Sequence, residues 1–291
     1  IGMTGGTLGL GGTISDFGAV QPDSTTSLEL NAETTISSDI AIVIGGLELN
    51  DYTLTLGSAT TDLTIQSALA VENSNSKLIT NDADLILKSS LQLTAGSITS
   101  TAGTLSLSEG GSLENSGILD VSGTTLKLNG DLTAGSETLI SNNISVLHLL
   151  DDVTITFNGE KTFKSLVHNG NTLTLGSGAT DLKLLDPLNL SSVTLHTGDA
   201  DLDLQGTITL QSNSLLDSTG GTLKLGGTVD STSEISIYGT ELALRSDFEI
   251  AGIMSTNASS SISRNTRELD LSGGQLKLGG NLELAGTITD E

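Results

Sequence analysis

Residues 52–65 read YTLTLGSATTDLTI, and residues 171–184 read NTLTLGSGATDLKL. The shared TLTL runs start 119 positions apart (172 − 53 = 119). Each stretch alternates aliphatic and polar residues, breaks at a Gly-Ser corner, and resumes after an Asp. Such alternation marks a strand with one buried and one exposed face. An acid repeated before a strand also raises a chemical question. Asp62 and Asp181 are either the carboxylates of a duplicated site or the turn residues of a repeating scaffold.

The same short unit, two aliphatics around one free position, recurs along the chain. It starts at Leu8, Leu28, Leu47, Leu63, Leu85, Leu105, Leu126 and Leu147, at steps of 20, 19, 16, 22, 20, 21 and 21. It continues through Leu166, Leu182, Leu202, Leu223 and Leu242, at steps of 19, 16, 20, 21 and 19. A longer period lies on top. DADLIL (82–87) matches DADLDL (199–204) at an offset of 117, and SGTTLKLNGDL (122–132) matches YGTELALRSDF (238–248) at 116. SLELNAETTI (27–36) answers VLHLLDDVTI (146–155) at 119. A block of about 116–119 residues is therefore read as duplicated, approximately 27–145 and 146–262. The texture is weakest at 245–268, which predicts a longer loop there.

A period near 20 with dense Gly and β-branched residues excludes most repeat folds. Leucine-rich repeats need a fixed Asn or Cys and a helical half. Hexapeptide repeats need multiples of six, and the nonapeptide calcium pattern is missing. The reading that fits is an all-β parallel β-solenoid, right-handed by the rule for parallel crossovers. It has about 20 residues per coil and about 14 coils in a single continuous domain, on the order of 65 Å long at the strand spacing. Corners such as GSATTD, TAGS, SEGGS and SNN turn the chain. One coil cannot bury its Leu face alone, so stability comes from stacking.

Composition agrees. The chain has 291 residues with 35 Gly, 2 Pro, no Cys and no Trp, so branched aliphatics must fill the core. The formal charge of −24 argues against nucleic acid, whose phosphates it would repel. The longest apolar run, AIVIGGL (41–47), is too short for membrane insertion. No basic-then-apolar signal opens the chain, which suggests a processed or interior piece of something longer.

These Gly-rich turns and LxL strands, in coils of 19–21 residues, resemble the β-helical shafts of large secreted bacterial adhesins. Those include the filamentous-haemagglutinin-type exoproteins and autotransporter passengers. The resemblance implies an extracellular or cell-surface location and a non-enzymatic structural or adhesive role. The chain opens on TGGTLGLGGTI (4–14) and closes on GGQLKLGGNLELAGTI (273–288), which are ordinary repeats. Uncapped repeats imply self-association into a homopolymeric fibre or continuation of the same solenoid. A cell-surface or glycan receptor is the implied external partner.

Candidate chemistry is sparse. The DAD corners bring Asp82 and Asp84, then Asp199 and Asp201 with Asp203, into close spacing, and carboxylates so placed suggest Ca2+. Asp62 and Asp181 read as turn residues that hydrogen-bond their own backbone. His148 and His168 read as surface imidazoles, with His196 out of register. Arg245, Arg264 and Arg267 form the one basic cluster, with Phe248 as its aromatic neighbour. No nucleophile elbow is present. The expectation is no enzyme. The alternative is a polysaccharide-degrading or glycan-binding β-helix, which a cleft with three or more carboxylates would favour.

Overall fold

The computed structural model describes residues 2–17, 21–135, 137–257, 259–263, 269–270, 275–278 and 283–285. The chain divides into two compact units, Ile1–His148 and Leu149–Glu291. Among the described residues no helix is long and apolar enough to cross a membrane. Among the described residues the strand pairings are parallel, for example Leu63 with Leu85 and Leu85 with Leu105. The fold is a β-solenoid of about 13 turns, with turns about 20 residues apart.

The first unit stacks short strands in three columns. One runs through Thr53–Leu56, Lys77–Asn81, Ser97–Ser100 and Ile118–Asp120. The next runs through Ile42–Ile44, Leu63–Ile65, Leu85–Leu87, Thr104–Leu107 and Thr125–Leu128. The third runs through Leu69–Val71, Leu91–Leu93, Gly111–Leu113 and Leu132–Ala134. The second unit repeats the plan. Leu173–Leu175, Thr194–Gly198 and Leu215–Ser218 form one column. Leu182–Leu184, Leu202–Leu204 and Thr222–Val229 form the second, and Leu188–Ser191 and Ile208–Gln211 belong to the third.

Alternation sets the core. Leu54, Leu56 and Leu63 are buried, as are Leu173, Leu175 and Leu182, while the strand residues that alternate with them, Thr55, Thr64, Thr174 and Lys183, stay partly accessible. Phe17, Phe157, Phe163 and Phe248 are all buried too. The two steps of 16 have a simple origin. Leu47 pairs within the column of Leu28, whereas Leu63 pairs in the column of Ile42. The unit has moved to another face of the same coil, so a count of LxL units slightly exceeds the count of coils.

Two corners are crossed by unbroken strands. Thr7–Ile14 pairs with Ser27–Ile36, and Thr222–Val229 pairs with Glu241–Ile250. In each case the register slips at a Gly-Gly in the shorter strand. At Gly227, with φ of 146°, an added Cβ would lie 1.9 Å from Ile208 O, so only glycine fits. The residues opposite, Arg245–Asp247, bulge outward. This bulge broke the alternation where the sequence suggested a loop at 245–268. The described residues there continue Glu241–Ile250 and add Ile253–Thr256 and Ser261–Ser263. Arg264, Arg267 and much of 273–288 lie outside the described residues.

Candidate functional site

The two echoing stretches carry one bonding network twice. In the first copy Thr61 closes a turn by donating its N–H to Ser58 O at 3.1 Å; in the second Thr180 does the same to Ser177 O at 3.0 Å. Both threonines are fully buried. The Thr61 hydroxyl donates to Ser38 O at 2.6 Å and accepts the Ser38 N–H at 3.1 Å. The Thr180 hydroxyl donates to Phe157 O at 2.9 Å and accepts the Phe157 N–H at 3.1 Å. A hydroxyl thus satisfies the backbone of the preceding coil at a corner where the strand ladder is broken. Thr124 and Ser145 repeat the device, donating to Ser100 O and Val121 O. The sequence carried this signal as a turn-former followed three residues later by Ser or Thr: SATT (58–61), NNIS (142–145) and SGAT (177–180). That spacing went unread.

The acids are also structural, though not as expected. Asp62 Oδ1 accepts the N–H of Asp84 at 2.9 Å, and Asp84 Oδ1 accepts the N–H of Thr104 at 2.6 Å. Asp181 Oδ1 accepts the N–H of Asp201 at 3.0 Å, and Asp201 Oδ1 accepts the N–H of Thr222 at 2.6 Å. Each carboxylate therefore caps the next coil, where the sequence suggested a bond to its own backbone. Upstream, Glu33 and Asp152 do the same for Thr53 and Thr172, at 2.8 and 2.7 Å. Ala83 and Ala200, between the DAD acids, are fully buried.

The calcium candidates are placed as follows. Asp84 and Asp201 hold backbone N–H groups. Asp82 and Asp199 are exposed, with Asp199 Oδ1 accepting from the Thr219 hydroxyl at 3.2 Å. Asp203 faces outward yet is buried, because Arg245 grips it with Nε and Nη2, both at 2.6 Å, and Gln205 Nε2 adds a third bond at 3.0 Å. At Asp84, Asp201 and Asp203 these partners take up oxygens that a six- to eight-coordinate Ca2+ would use. Among the described residues, no group of three or more His, Cys, Asp and Glu side chains is placed to hold a metal ion.

The histidines have separate duties. Burial, and then the charge of Lys127, hold His148 below the ordinary imidazole range. His168 Nδ1 accepts the Gly170 N–H at 3.0 Å within a turn. His196 Nδ1 lies 3.0 Å from Asp217 Oδ2. Two corner acids are strongly shifted. Hydroxyl and backbone donation from Thr25 brings Asp23 down to about 2. At Asp230 desolvation is the largest single influence and pushes upward. The bonds from Ser212, Ser233 and Thr232 together outweigh it and bring the group to about 2.

Two surface cavities stand out in the second unit. One of about 380 Å3 is lined by Thr228, Asp247, Glu249 and Asp270 over buried Phe248. Another of about 260 Å3 shares Thr228 and Glu249 and adds Thr209, Gln211 and Asp230. Glu249 and Asp270 are register partners on adjacent strands. Comparison of the chain with family models, curated proteins and solved structures finds no match.

Proposed function

We propose that this chain is a non-enzymatic, structural and adhesive β-solenoid segment of an extracellular fibre, built like the shafts of large secreted bacterial adhesins. The observation that carries this reading is the duplicated capping network. Asp62, Asp84, Asp181 and Asp201, with the hydroxyls of Thr61 and Thr180, hold one coil to the next. Parallel stacking with side chains bonded from coil to coil at the corners makes each unit stiff, and without Cys that stiffness does not depend on redox state. A charge of −24 disfavours lateral clumping. Open solenoid edges recruit further strands, which supports end-to-end self-association or continuation of the same solenoid. A cell-surface or glycan receptor is the external partner in this reading. Electron microscopy of the native material tests it. Filaments one coil wide are expected, and discrete globular particles would overturn it.

A second reading is favoured by the cavity with Asp247, Glu249 and Asp270. Two facing carboxylates are the usual equipment for glycoside cleavage, so a polysaccharide-acting β-helix competes with the fibre. Depolymerisation of an acidic or neutral polysaccharide, lost in Glu249→Gln, would support it. A folded protein inert across a broad polysaccharide panel would sink it.

A further inference from the structure

The wall of the first unit contains a seam. Among the described residues, strand Gly46–Glu48 pairs only with Ser27–Ile36. Strand Leu69–Val71 ends its sheet and pairs with Leu91–Leu93. The two strands face each other without a ladder between them. The wall closes on both sides of the gap. Ser67 N–H donates to Gly45 O at 2.7 Å, and Asp51 N–H donates to Ser76 Oγ at 3.1 Å. Between these closures one chain segment has 5 residues (46–50) and the other has 8 (68–75), so the longer one bows away. The space left is a cavity of about 360 Å3, with buried Leu47, Leu49 and Val71 on its floor and exposed Glu48 and Glu72 at its rim.

One backbone edge looks into this space. Leu69 N–H donates to Ser90 O, and Val71 O accepts from Thr94 N–H. Ala70, between them, therefore turns its N–H and C=O the other way, into the seam. The second unit shows what happens when such an edge is closed. Its equivalents of Leu49 and Ala70, 119 residues on, are His168 and Asn189. His168 Nε2 lies 2.8 Å from Asn189 O. Because Nδ1 accepts the Gly170 N–H, the ring proton sits on Nε2 and is donated to that carbonyl. An imidazole caps the edge in one copy, where the other copy has a leucine.

We propose that the seam of the first unit is a strand-accepting site for an extended partner segment of apolar–basic–apolar pattern. The open edge at Ala70 supplies the backbone bonds of β-augmentation. The apolar floor takes the inward side chains. The outward side chain between them passes Glu48 and Glu72, where Lys or Arg is complementary and Asp or Glu is repelled. Leu-Lys-Leu, the pattern this chain itself carries at 223–225, is the simplest sequence that meets all three demands.

The test uses the full chain and an end-blocked peptide of residues 220–227, GGTLKLGG, followed by calorimetry and amide chemical shifts. Saturable binding is expected, with the Lys→Glu peptide weaker by at least about tenfold. Leu49→His, which reproduces the second copy, should weaken binding by a similar factor. Ala70→Pro removes only the N–H that points into the seam and keeps the bonds to Leu91–Leu93, so it should do the same even where Leu49→His folds poorly. Glu48→Gln with Glu72→Gln should erase the preference for lysine over glutamate. No saturable binding of the lysine peptide, or binding unchanged by Leu49→His and Ala70→Pro in folded protein, would overturn the proposal.

Discussion

Ser38 and Phe157 occupy the same place in the two copies, and each donates its N–H to a corner threonine at 3.1 Å. Nearby, Ile44 in the first copy answers Phe163 in the second, and both are buried. On the outside, Ile86 answers Asp203 and Asn129 answers Arg245, at the offsets of 117 and 116 seen in the flanking motifs. The backbone bonds at the shared corner agree within about 0.3 Å, while the side chains on both sides of the wall have diverged. The difference teaches what a solenoid coil must keep. A corner hydroxyl and a capping carboxylate replace ladder bonds that the turn breaks, so they are fixed by the backbone. Core volume and surface charge are fixed only by neighbouring coils, and each copy has settled them separately.

The largest test of that contrast exchanges core volume. Phe157→Ser, which restores the residue of the first copy, keeps the corner bonds but empties a fully buried aromatic site. Removal of a buried phenylalanine costs about 3–5 kcal/mol. The loss should be seen in equilibrium unfolding, and hydrogen exchange should place it in the second unit. The reverse change, Ser38→Phe, should overpack the first copy by about 1–3 kcal/mol. If Phe157→Ser proves neutral, the two copies share one core volume and the contrast fails.

A smaller effect is expected from the outer face. Arg245→Asn, which restores the first-copy residue, strands the Asp203 carboxylate, whose side chain is 10% exposed. Breaking a fully buried pair costs about 3–5 kcal/mol. Arg245 is itself 38% exposed, so solvent screening reduces the expected loss to about 2 kcal/mol. Asp203→Ile with Arg245→Asn rebuilds the first-copy pair of residues and should recover most of it. A double variant no more stable than Arg245→Asn alone would show that the ion pair is not what holds Asp203 in place.

Much of this architecture was readable from residue order. Leu63, Leu85, Leu105 and Leu126 lie in consecutive coils and stack in one register, as their spacing implied. The burial of Leu54, Leu56 and their counterparts followed from alternation alone. What stayed hidden depends on contacts between coils. Asp62 looked like a local turn residue because a local bond and a bond one coil away leave the same mark in sequence. Asp203 looked exposed because it occupies the middle of an LxL unit, and its partner sits 42 residues on (245 − 203 = 42). The seam arises from three extra residues between two wall closures, an insertion that a period near 20 absorbs without trace.

The smallest effect separates corners rather than copies. Asp23 begins DSTT (23–26) and Asp230 begins DSTS (230–233), whereas the first-copy counterpart of the latter, 116 residues earlier, is ENSG (114–117). Both turns close in the same way, Ser233 N–H to Asp230 O at 3.1 Å and Gly117 N–H to Glu114 O at 3.0 Å. Glu114 accepts one hydroxyl, from Ser112 at 2.8 Å, whereas the aspartate corners surround their acid with hydroxyl and backbone donors, and Asp23 and Asp230 are both lowered from 3.8 to about 2. A carboxyl whose pKa is depressed by folding adds stability above its unfolded value, and that contribution is lost as pH falls through the folded value. The corners should therefore hold through pH 4 and loosen between about pH 4 and 2. Carboxyl shifts followed by NMR should place both midpoints near 2. Asp230→Asn should remove its share of the acid-dependent fall in melting temperature while leaving that of Asp23. Midpoints near 4 would show that the hydroxyls of Thr25 and Thr232 bind the acid and the ion equally, and the DST corner would then be a turn like any other.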